Sequence, residues 1–306
     1  MTSVAALLAA ARQRIPASEA RLLLGHLLGR SAAWLEAHRD DETSIDSEFS
    51  TLVGRRAAGE PVAYLVGVRE FYGRDYSVTP DVLIPRPETE LLVDIAKAKV
   101  GAGPSQADAR PPVGGSELGL RAWGGTVVGA GGTARILDLG TGSGCLAVTL
   151  ALELSRARVV AADLSPAALA VARTNAQRLG AVVECIESDW FAALPAQRFD
   201  LIVANPPYVA AGDPHLEMDD LRFEPAGALT DHADGLSALR RIVVEAPDWL
   251  ADGGWLFLEH GYDQAVAVAE LLAAAGFVAI EQYRDLAGIV RVSGGRRIMA
   301  SGRSCA

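Results

Sequence analysis

The chain has 306 residues, 50% of them hydrophobic, with 28 Lys and Arg against 38 Asp and Glu for a formal charge of −10. That length suits two domains with a substantial core, and the acidic balance argues against a protein that tracks a phosphate backbone by itself, because nucleic-acid affinity leans on basic patches. Three cysteines, Cys145, Cys185 and Cys305, have no metal-ligand spacing and leave an odd thiol, which points to a reducing cytoplasm rather than a disulfide scaffold; no uncharged apolar run is long enough to span a bilayer.

The first residues, Val4 to Arg12, lack a basic leader and read as an amphipathic helix rather than a signal peptide. Residues 1–66 read as a small helical module, with Ser18 as a helix cap before Glu19 and Leu-rich faces that pack as a bundle. Residues 67–85 read as a two-stranded connector. Pro87 with Glu88 and Glu90 then suits the first turn of a helix, where proline is tolerated and the macrodipole favours acids. Residues 101–133 are Gly- and Pro-rich around one apolar island, Leu118 to Trp123, and read as a flexible surface insertion.

A short buried strand, Ala134 to Leu139, leads into Gly140-Thr141-Gly142-Ser143-Gly144 and an apolar helical pattern from Cys145 to Leu154. Strand, glycine turn and helix bring backbone N–H groups close to a ligand at a helix N-terminus. The dinucleotide fingerprint wants a third glycine where Cys145 stands, so a nicotinamide enzyme is the less natural reading. A second strand, Arg158 to Ala162, ends in Asp163, which suits either a pair of ribose hydroxyls or the cap of the helix begun by Ser165-Pro166. A third, Val182 to Ile186, leads to Ser188-Asp189-Trp190, an acceptor and a flat ring that fit an adenine or, for the ring, simply the core.

The fourth strand, Phe199 to Ala204, delivers Asn205-Pro206-Pro207-Tyr208, which taken alone suits either a turn that ends the strand or a grip on a planar amide or amino group. Prolines cannot donate backbone hydrogen bonds, so this corner presents acceptors: the Asn205 side-chain carbonyl and the Pro206 backbone carbonyl can each take one N–H of a planar amide or aromatic amine. Such a nitrogen is a poor nucleophile, because its lone pair is delocalised with a strength reflected in a rotation barrier of roughly 18–20 kcal/mol. Two net hydrogen bonds of about 1 kcal/mol each do not overcome that, so catalysis must come from orientation and a reactive methyl donor. No general base is needed, since a methylated cationic amide loses its proton readily. Tyr208 would pack against the target plane. Further on, Arg222 and Glu224 suit either the rim of a substrate entrance or an ordinary ion pair. Asp252-Gly253-Gly254 reads as a turn before the strand Trp255 to Glu259, and His260 as a structural turn histidine. A helix from Gln264 to Ala275 is ended by Gly276, and strands from Phe277 and from Ile289 to Val292 make an antiparallel edge.

The Gly140 to Gly144 loop, Asp163 and Asn205-Pro206-Pro207-Tyr208 resemble a class I S-adenosylmethionine-dependent methyltransferase of the amino-group branch. Finer motifs narrow the likeness. Arg69 to Gly73, Leu83 to Glu90, Ser188 to Phe191, Arg222 to Pro225 and Leu258 to Gly261, in order and spacing, resemble the release-factor glutamine methyltransferases (the PrmC/HemK family), from about residue 15 to about 298. The resemblance implies an α/β fold: a Rossmann-like class I methyltransferase domain with a seven-stranded, mostly parallel sheet, preceded by a small helical domain and a β-hairpin linker. The domains would be 1–66 for substrate recognition, 67–85 for the linker and 86–306 for methyl transfer, with 101–133 and the tail after Arg297 departing from the family pattern. It implies S-adenosylmethionine as donor and S-adenosylhomocysteine as product, held by Gly140, Thr141, Gly142, Ser143, Gly144, Asp163, Trp190 and Asn205. Asn205, Pro206, Pro207 and Tyr208 would hold the glutamine of the Gly-Gly-Gln motif in peptide chain release factors, with Asn205 the catalytic residue. A cytoplasmic monomer with no direct nucleic-acid or membrane partner is expected. The rivals are a ribosomal-protein glutamine methyltransferase, an adenine-N6 methyltransferase of DNA or RNA whose target base is flipped into the same pocket, and a cofactor-binding interaction protein with an idle site.

Overall fold

In a computed structural model of the chain, residues 1–100, 133–217 and 219–298 are described; the insertion expected over 101–133 (except Thr133), Cys305 and the tail from 299 lie outside them. The chain opens with a two-residue strand, β1 (Thr2–Ser3), and the helices α1 (Val4–Ala11), α2 (Ala17–Leu28) and α3 (Ala32–Ala37). The strand β2 (Glu42–Thr43) pairs antiparallel with β1, and α4 (Asp46–Ala57) and α5 (Val62–Val66) complete the bundle. Leu7, Leu8, Leu23, Leu24, Leu35, Phe49 and Val53 form its core, while Leu22, one position out of phase, is 50% exposed. The expected cap at Ser18 is corrected: α2 starts two residues earlier than that cap would set, with Pro16 at the cap position, where its fixed φ enters the helix without a side-chain hydrogen bond. Its end is a left-handed Gly29, whose N–H closes on the Gly25 and His26 carbonyls.

The hairpin follows as β3 (Val68–Phe71) and β4 (Arg74–Ser77), joined by Tyr72 and Gly73 at φ 52° and 72°, the geometry that matches the natural twist of the strands. Phe71 and Tyr76 are buried in the core of the following domain, and the Tyr76 hydroxyl meets Thr149 Oγ1 at 2.7 Å. The connector is therefore anchored and fixes its orientation on the body behind it. A 3₁₀ turn, Pro87–Thr89, then opens α6 (Glu90–Val100), as the proline and the acids predict.

The remaining elements alternate: β5 (Arg135–Leu139), α7 (Cys145–Glu153), β6 (Arg158–Asp163), α8 (Pro166–Leu179), β7 (Val183–Glu187), β8 (Phe199–Ala204), α9 (Ala226–Leu229), α10 (Ser237–Trp249), β9 (Leu250–Glu259), α11 (Ala265–Ala274), β10 (Val278–Arg284) and β11 (Val290–Arg296). Nine-residue to fourteen-residue helices cover a seven-stranded sheet of order β10-β11-β9-β8-β5-β6-β7. All strands run parallel except β11, which is antiparallel to both neighbours. The reversed strand thus lies one place in from the edge, not at it. Leu201, Ile202, Val203 and Ala204 are fully buried, as a strand covered on both faces requires. From β5 the chain winds outward through β6 and β7, then returns to β8 on the other side. The crevice between β5 and β8 is the switch point at which such sheets bind ligands.

The turn expected at Asp252 to Gly254 is part of a strand instead, and a second glycine pair, Gly294-Gly295, lies inside the sheet. Phe199 pairs with Leu250 and Leu201 with Trp255, so Ala251 to Gly254 bulge out of a strand that begins at Leu250, five residues before the expected start. In β11, Gly294 and Gly295 extend the ladder rather than end it: a Cβ at Gly294 would stand 2.0 Å from Phe257 Cδ1. The ring of the neighbouring strand occupies the space a side chain would need.

Candidate active site

The glycine loop is built from the inside. Asp138, at the end of β5, is 1% exposed and accepts the Thr141 hydroxyl at 2.6 Å; burial, opposed by that bond and reinforced by Asp163, pushes its pKa up to about 7. Gly140 and Thr141 donate their N–H groups to Ala162 O at 2.8 and 3.0 Å. Gly142 donates to Asp163 Oδ2 at 2.8 Å, and Ser165 N to the other carboxylate oxygen at 2.9 Å. Burial also raises the Asp163 pKa. The cap of α8 is not Asp163 but Ser165, whose Oγ accepts from Ala168 N. Gly144 has a packing duty: at φ 78°, a Cβ there would meet that of Ala172 at 2.9 Å, so its absence lets α7 lie against α8. Asn175, which sequence reasoning passed over, donates to Ser143 O and Ser77 O at 2.9 Å each and accepts from Ser77 N at 2.8 Å, tying loop and hairpin together.

A cavity of about 310 Å³ opens above these strand ends. Gly140, Gly142, Asp163, Asp189, Trp190, Asn205 and Pro207 line the side formed by the sheet; Asp81, Val82 and Leu83 of the connector and Pro225, Gly227 and Ala228 line the rest. Thr141, Ser143, Gly144, Pro206 and Tyr208 are not in its wall. The Trp190 ring stands 3.6 Å from where a Gly140 Cβ would be. Its backbone is left-handed at φ 53°, uncommon for a bulky residue; the Ser188 hydroxyl holds it by donating to Trp190 O at 2.8 Å while accepting from Ala193 N at 3.0 Å. Asp189 is engaged by Arg241 through both oxygens at 2.7 and 2.9 Å.

Asn205 follows the last residue of β8, and its Nδ2 donates to Thr89 Oγ1 at 3.0 Å. Thr89 is 3% exposed. Glu259, the last residue of β9, is 1% exposed; burial pushes its carboxyl up to about 7, reinforced by the repulsion of Glu88 and opposed by the nearby Thr89, Arg291 and Tyr208. Glu259 Oε1 receives the Tyr208 hydroxyl at 3.5 Å, and Oε2 has no partner among the described residues. Burial raises the Tyr208 phenol as well. The Tyr208 carbonyl accepts Gln264 Nε2 at 3.0 Å, pinning the corner from behind. Sequence reasoning quoted Thr89 and Glu259 within motifs but assigned them nothing; the signal would have been a polar residue and an acid in otherwise apolar surroundings.

His260 is structural as expected: fully buried, with Nε2 on Ser293 Oγ at 2.8 Å and Nδ1 on Gly261 O at 2.9 Å, its pKa lowered chiefly by burial. Glu224 makes an ion pair with Arg86 and accepts Ile84 N at 3.0 Å, so it fixes the connector against the loop that carries α9. Arg222 donates to Ala58 O and lies over the Phe223 ring.

The cavity suits an organic ligand with a nucleoside-like outline. Gly142 has open space where its Cβ would stand, the half-buried Asp163 carboxylate lies beside it, and a flat ring borders the next strand end. Among the described residues, no group of three or more His, Cys, Asp or Glu is placed to hold a metal ion, and no helix is long and apolar enough to cross a membrane.

Two family models match the chain: the PrmC N-terminal domain over residues 1–67 and the methyltransferase small domain over residues 127–226. Over 284 residues the chain is 52% identical to the release factor glutamine methyltransferase of Bordetella pertussis, covering 92% of this chain and 95% of that protein. Its counterpart in Burkholderia pseudomallei is 48% identical, with 92% of each covered. The crystal structure of a methyltransferase from Pyrococcus furiosus superposes with a TM-score of 0.50 at 16% identity, over 82% of this chain and 100% of that one, a likeness of fold.

Proposed function

The chain belongs to the release factor glutamine methyltransferase family, and on that premise we propose that it methylates the side-chain nitrogen of the Gly-Gly-Gln glutamine in peptide chain release factors, with S-adenosylmethionine as donor. The observation that carries this reading is the fixed amide of Asn205. Its Nδ2 is committed to Thr89, which leaves Oδ1 as the acceptor at the cavity wall. A planar amide entering there would meet Oδ1 at the wall; the Pro206 carbonyl, the second acceptor of this corner, lies outside the lining.

S-adenosylmethionine supplies a methyl group activated by its sulfonium. The residues that fit it are Gly140 and Gly142, whose left-handed backbone admits close approach, Asp163, whose oxygens retain lone pairs for the ribose hydroxyls, and Trp190, whose ring suits the adenine. Asp81 and Asp163 give the cavity an acidic lining suited to a cationic ligand. Thr141, Ser143 and Gly144 serve from behind, by shaping the loop. Asn205 and Pro206 hold the glutamine N–H groups so that the nitrogen lone pair faces the methyl, with Pro207 in the wall and Tyr208 packing beside it. Removal of the proton that remains after transfer needs no buried base, since a methylated amide is strongly acidic. Residues 1–66 serve as the grip on the release factor, 67–85 as the linker and 86–306 as the methyltransferase domain, working in the cytoplasm where translation terminates.

The test is direct. Purified enzyme, a release factor and S-adenosylmethionine are incubated, and the peptide bearing Gly-Gly-Gln is sequenced by mass spectrometry; a mass increment of about 14 Da on the glutamine is expected from the replacement of hydrogen by methyl, and a correspondingly larger one when the donor methyl is isotope-labelled. Full activity on a ribosomal protein or on adenine, with none on the release factor, would overturn the reading.

A further inference from the structure

The part of the cavity that suits a flat ring is held in shape by a side chain outside its contact surface. β7 ends at Glu187, opposite Asp163 of β6, and the next residue, Ser188, donates its N–H to Asp163 O at 2.9 Å. The Ser188 hydroxyl accepts from Ala193 N at 3.0 Å and donates to Trp190 O at 2.8 Å. Ser188 is 4% exposed. We propose that Ser188 is a positioning residue for donor binding: it fixes the left-handed backbone at Trp190, so that the indole stands beside Gly140 as one face of the adenine slot, in register with the Asp163 carboxylate. The proposal deepens the S-adenosylmethionine reading above and rests on it.

The partners fix the direction of each bond. A backbone N–H only donates and a carbonyl only accepts, so the hydroxyl takes Ala193 N on a lone pair and gives its hydrogen to Trp190 O. Buried as it is, Ser188 makes these bonds with little competition from bulk water. What they hold is a backbone that a bulky residue avoids, φ 53° at Trp190. Glycine adopts that conformation without steric cost, so closing the loop does not by itself call for tryptophan. The two rings at this bend have different surroundings. Phe191 is 2% exposed and stacks on Trp249 of α10, with centroids 5.6 Å apart and planes 15° apart. Trp190 stays in the cavity wall, its ring 3.6 Å from where a Gly140 Cβ would be. Phe191 thus anchors the loop to the core, and the Ser188 hydroxyl sets the residue before it. A strained residue persists where its surroundings over-determine it, and here they determine where a ring stands in the wall.

The experiment uses the full chain, with affinity for S-adenosylmethionine and S-adenosylhomocysteine by calorimetry, kcat and donor KM for release-factor methylation, and the melting temperature measured together. Ser188→Ala is expected to weaken both affinities about 10-fold and to raise donor KM by a similar factor, with kcat at saturating donor within about twofold. Trp190→Ala is expected to lose at least as much affinity. In the Trp190→Ala background, Ser188→Ala should cost no more than about twofold further, since the ring it positions is gone; a merely structural hydroxyl would cost the same in either background. Ser188→Cys, close in size but with a weaker donor, is expected to fall between wild type and Ser188→Ala, and it carries the same cycle if alanine at 188 does not fold. Wild-type donor affinity in the position-188 variants, or their full loss repeated in the Trp190→Ala background, would overturn the proposal. A wild-type enzyme that binds neither S-adenosylmethionine nor S-adenosylhomocysteine would instead refute the donor reading itself.

Discussion

Asp138→Asn should change the pH dependence of stability in a direction opposite to that of most carboxylates. Asp138 is 1% exposed, and burial raises its pKa from an ordinary 3.8 to about 7. Below pH 3.8 it is protonated in both folded and unfolded chains. Between there and pH 7 the unfolded chain releases the proton while the folded one keeps it, so the folded state binds more protons and stability falls as pH rises. A shift of about 3 units is worth about 4 kcal/mol at about 1.4 kcal/mol per unit, of which about 2–3 kcal/mol falls between pH 5 and 7. Asparagine keeps an acceptor for Thr141 but adds donors with nothing to meet them, at a pH-independent cost of about 1–3 kcal/mol. The assay is urea denaturation of wild type and variant at pH 5, 6, 7 and 8, taking the difference at each pH so that Glu259 and the other carboxylates cancel. The variant is expected to gain on the wild type by about 1 kcal/mol per pH unit up to pH 7 and then level off. A difference that stays constant from pH 5 to 8 would refute the reasoning, since it would mean that Asp138 ionises in the folded protein as it does unfolded.

Asn205→Ala should lower kcat by about 100-fold or more while donor affinity measured by calorimetry stays within a few-fold, because the acceptor that is lost orients the glutamine; equal loss of both would reassign Asn205 to the cofactor. Asp163→Ala should weaken donor binding by roughly 10- to 100-fold, since hydrogen bonds to a charged group are worth about 1.5–3 kcal/mol, with kcat recovering at saturating donor. Gly144→Ala should destabilise the fold by about 2–5 kcal/mol, from left-handed strain at φ 78° together with a Cβ only 2.9 Å from that of Ala172; an unchanged denaturation midpoint would show that α7 and α8 can separate freely. Glu224→Ala should cost about 2–4 kcal/mol by leaving Arg86 and the Ile84 N–H without their partner, read from the same denaturation curves.

What local chemistry determines was legible in the chain. The parallel strands could be read because they are apolar on both faces, and Gly140 to Gly144, Asp163 and Asn205 because each follows directly on a strand end, where open α/β sheets bind ligands. What depends on a partner far along the chain was not. The last strand, read as ending at Val292, runs on through Gly294-Gly295, where Phe257 fills the volume that side chains would need, and Asp252 to Gly254 reads as a turn until Leu250 is seen to pair with Phe199. Asp189 looks like a free acceptor until Arg241, 52 residues later, takes both its oxygens. Thr89, 116 residues before Asn205, could be matched to it only after α6 and β8 were placed together.

The cavity is not a property of the sheet alone. Its second wall is the connector, Asp81 to Leu83, and that segment is tied on both sides. Tyr64 of α5 donates to Val82 O at 2.6 Å and packs with Val78, Val82 and Ile84 against Ala168 and Val171 of α8. Arg86 and Ile84 N are held by Glu224, and Arg56 of α4 bridges Glu19 of α2 to Asp220 at 2.7 and 2.8 Å. The helical bundle is thereby coupled to the segment that follows Asn205 as well as to the wall facing it. On the proposed reading, a partner gripped by the bundle would be presented at a fixed distance from the amide clamp, which is what a clamp with only two acceptors requires. Asn205 and Pro206 can orient a nitrogen, but they have too little binding energy to recruit the chain that carries it. On that reading, choice of substrate would fall to the bundle and connector, and alignment of the nitrogen to Asn205.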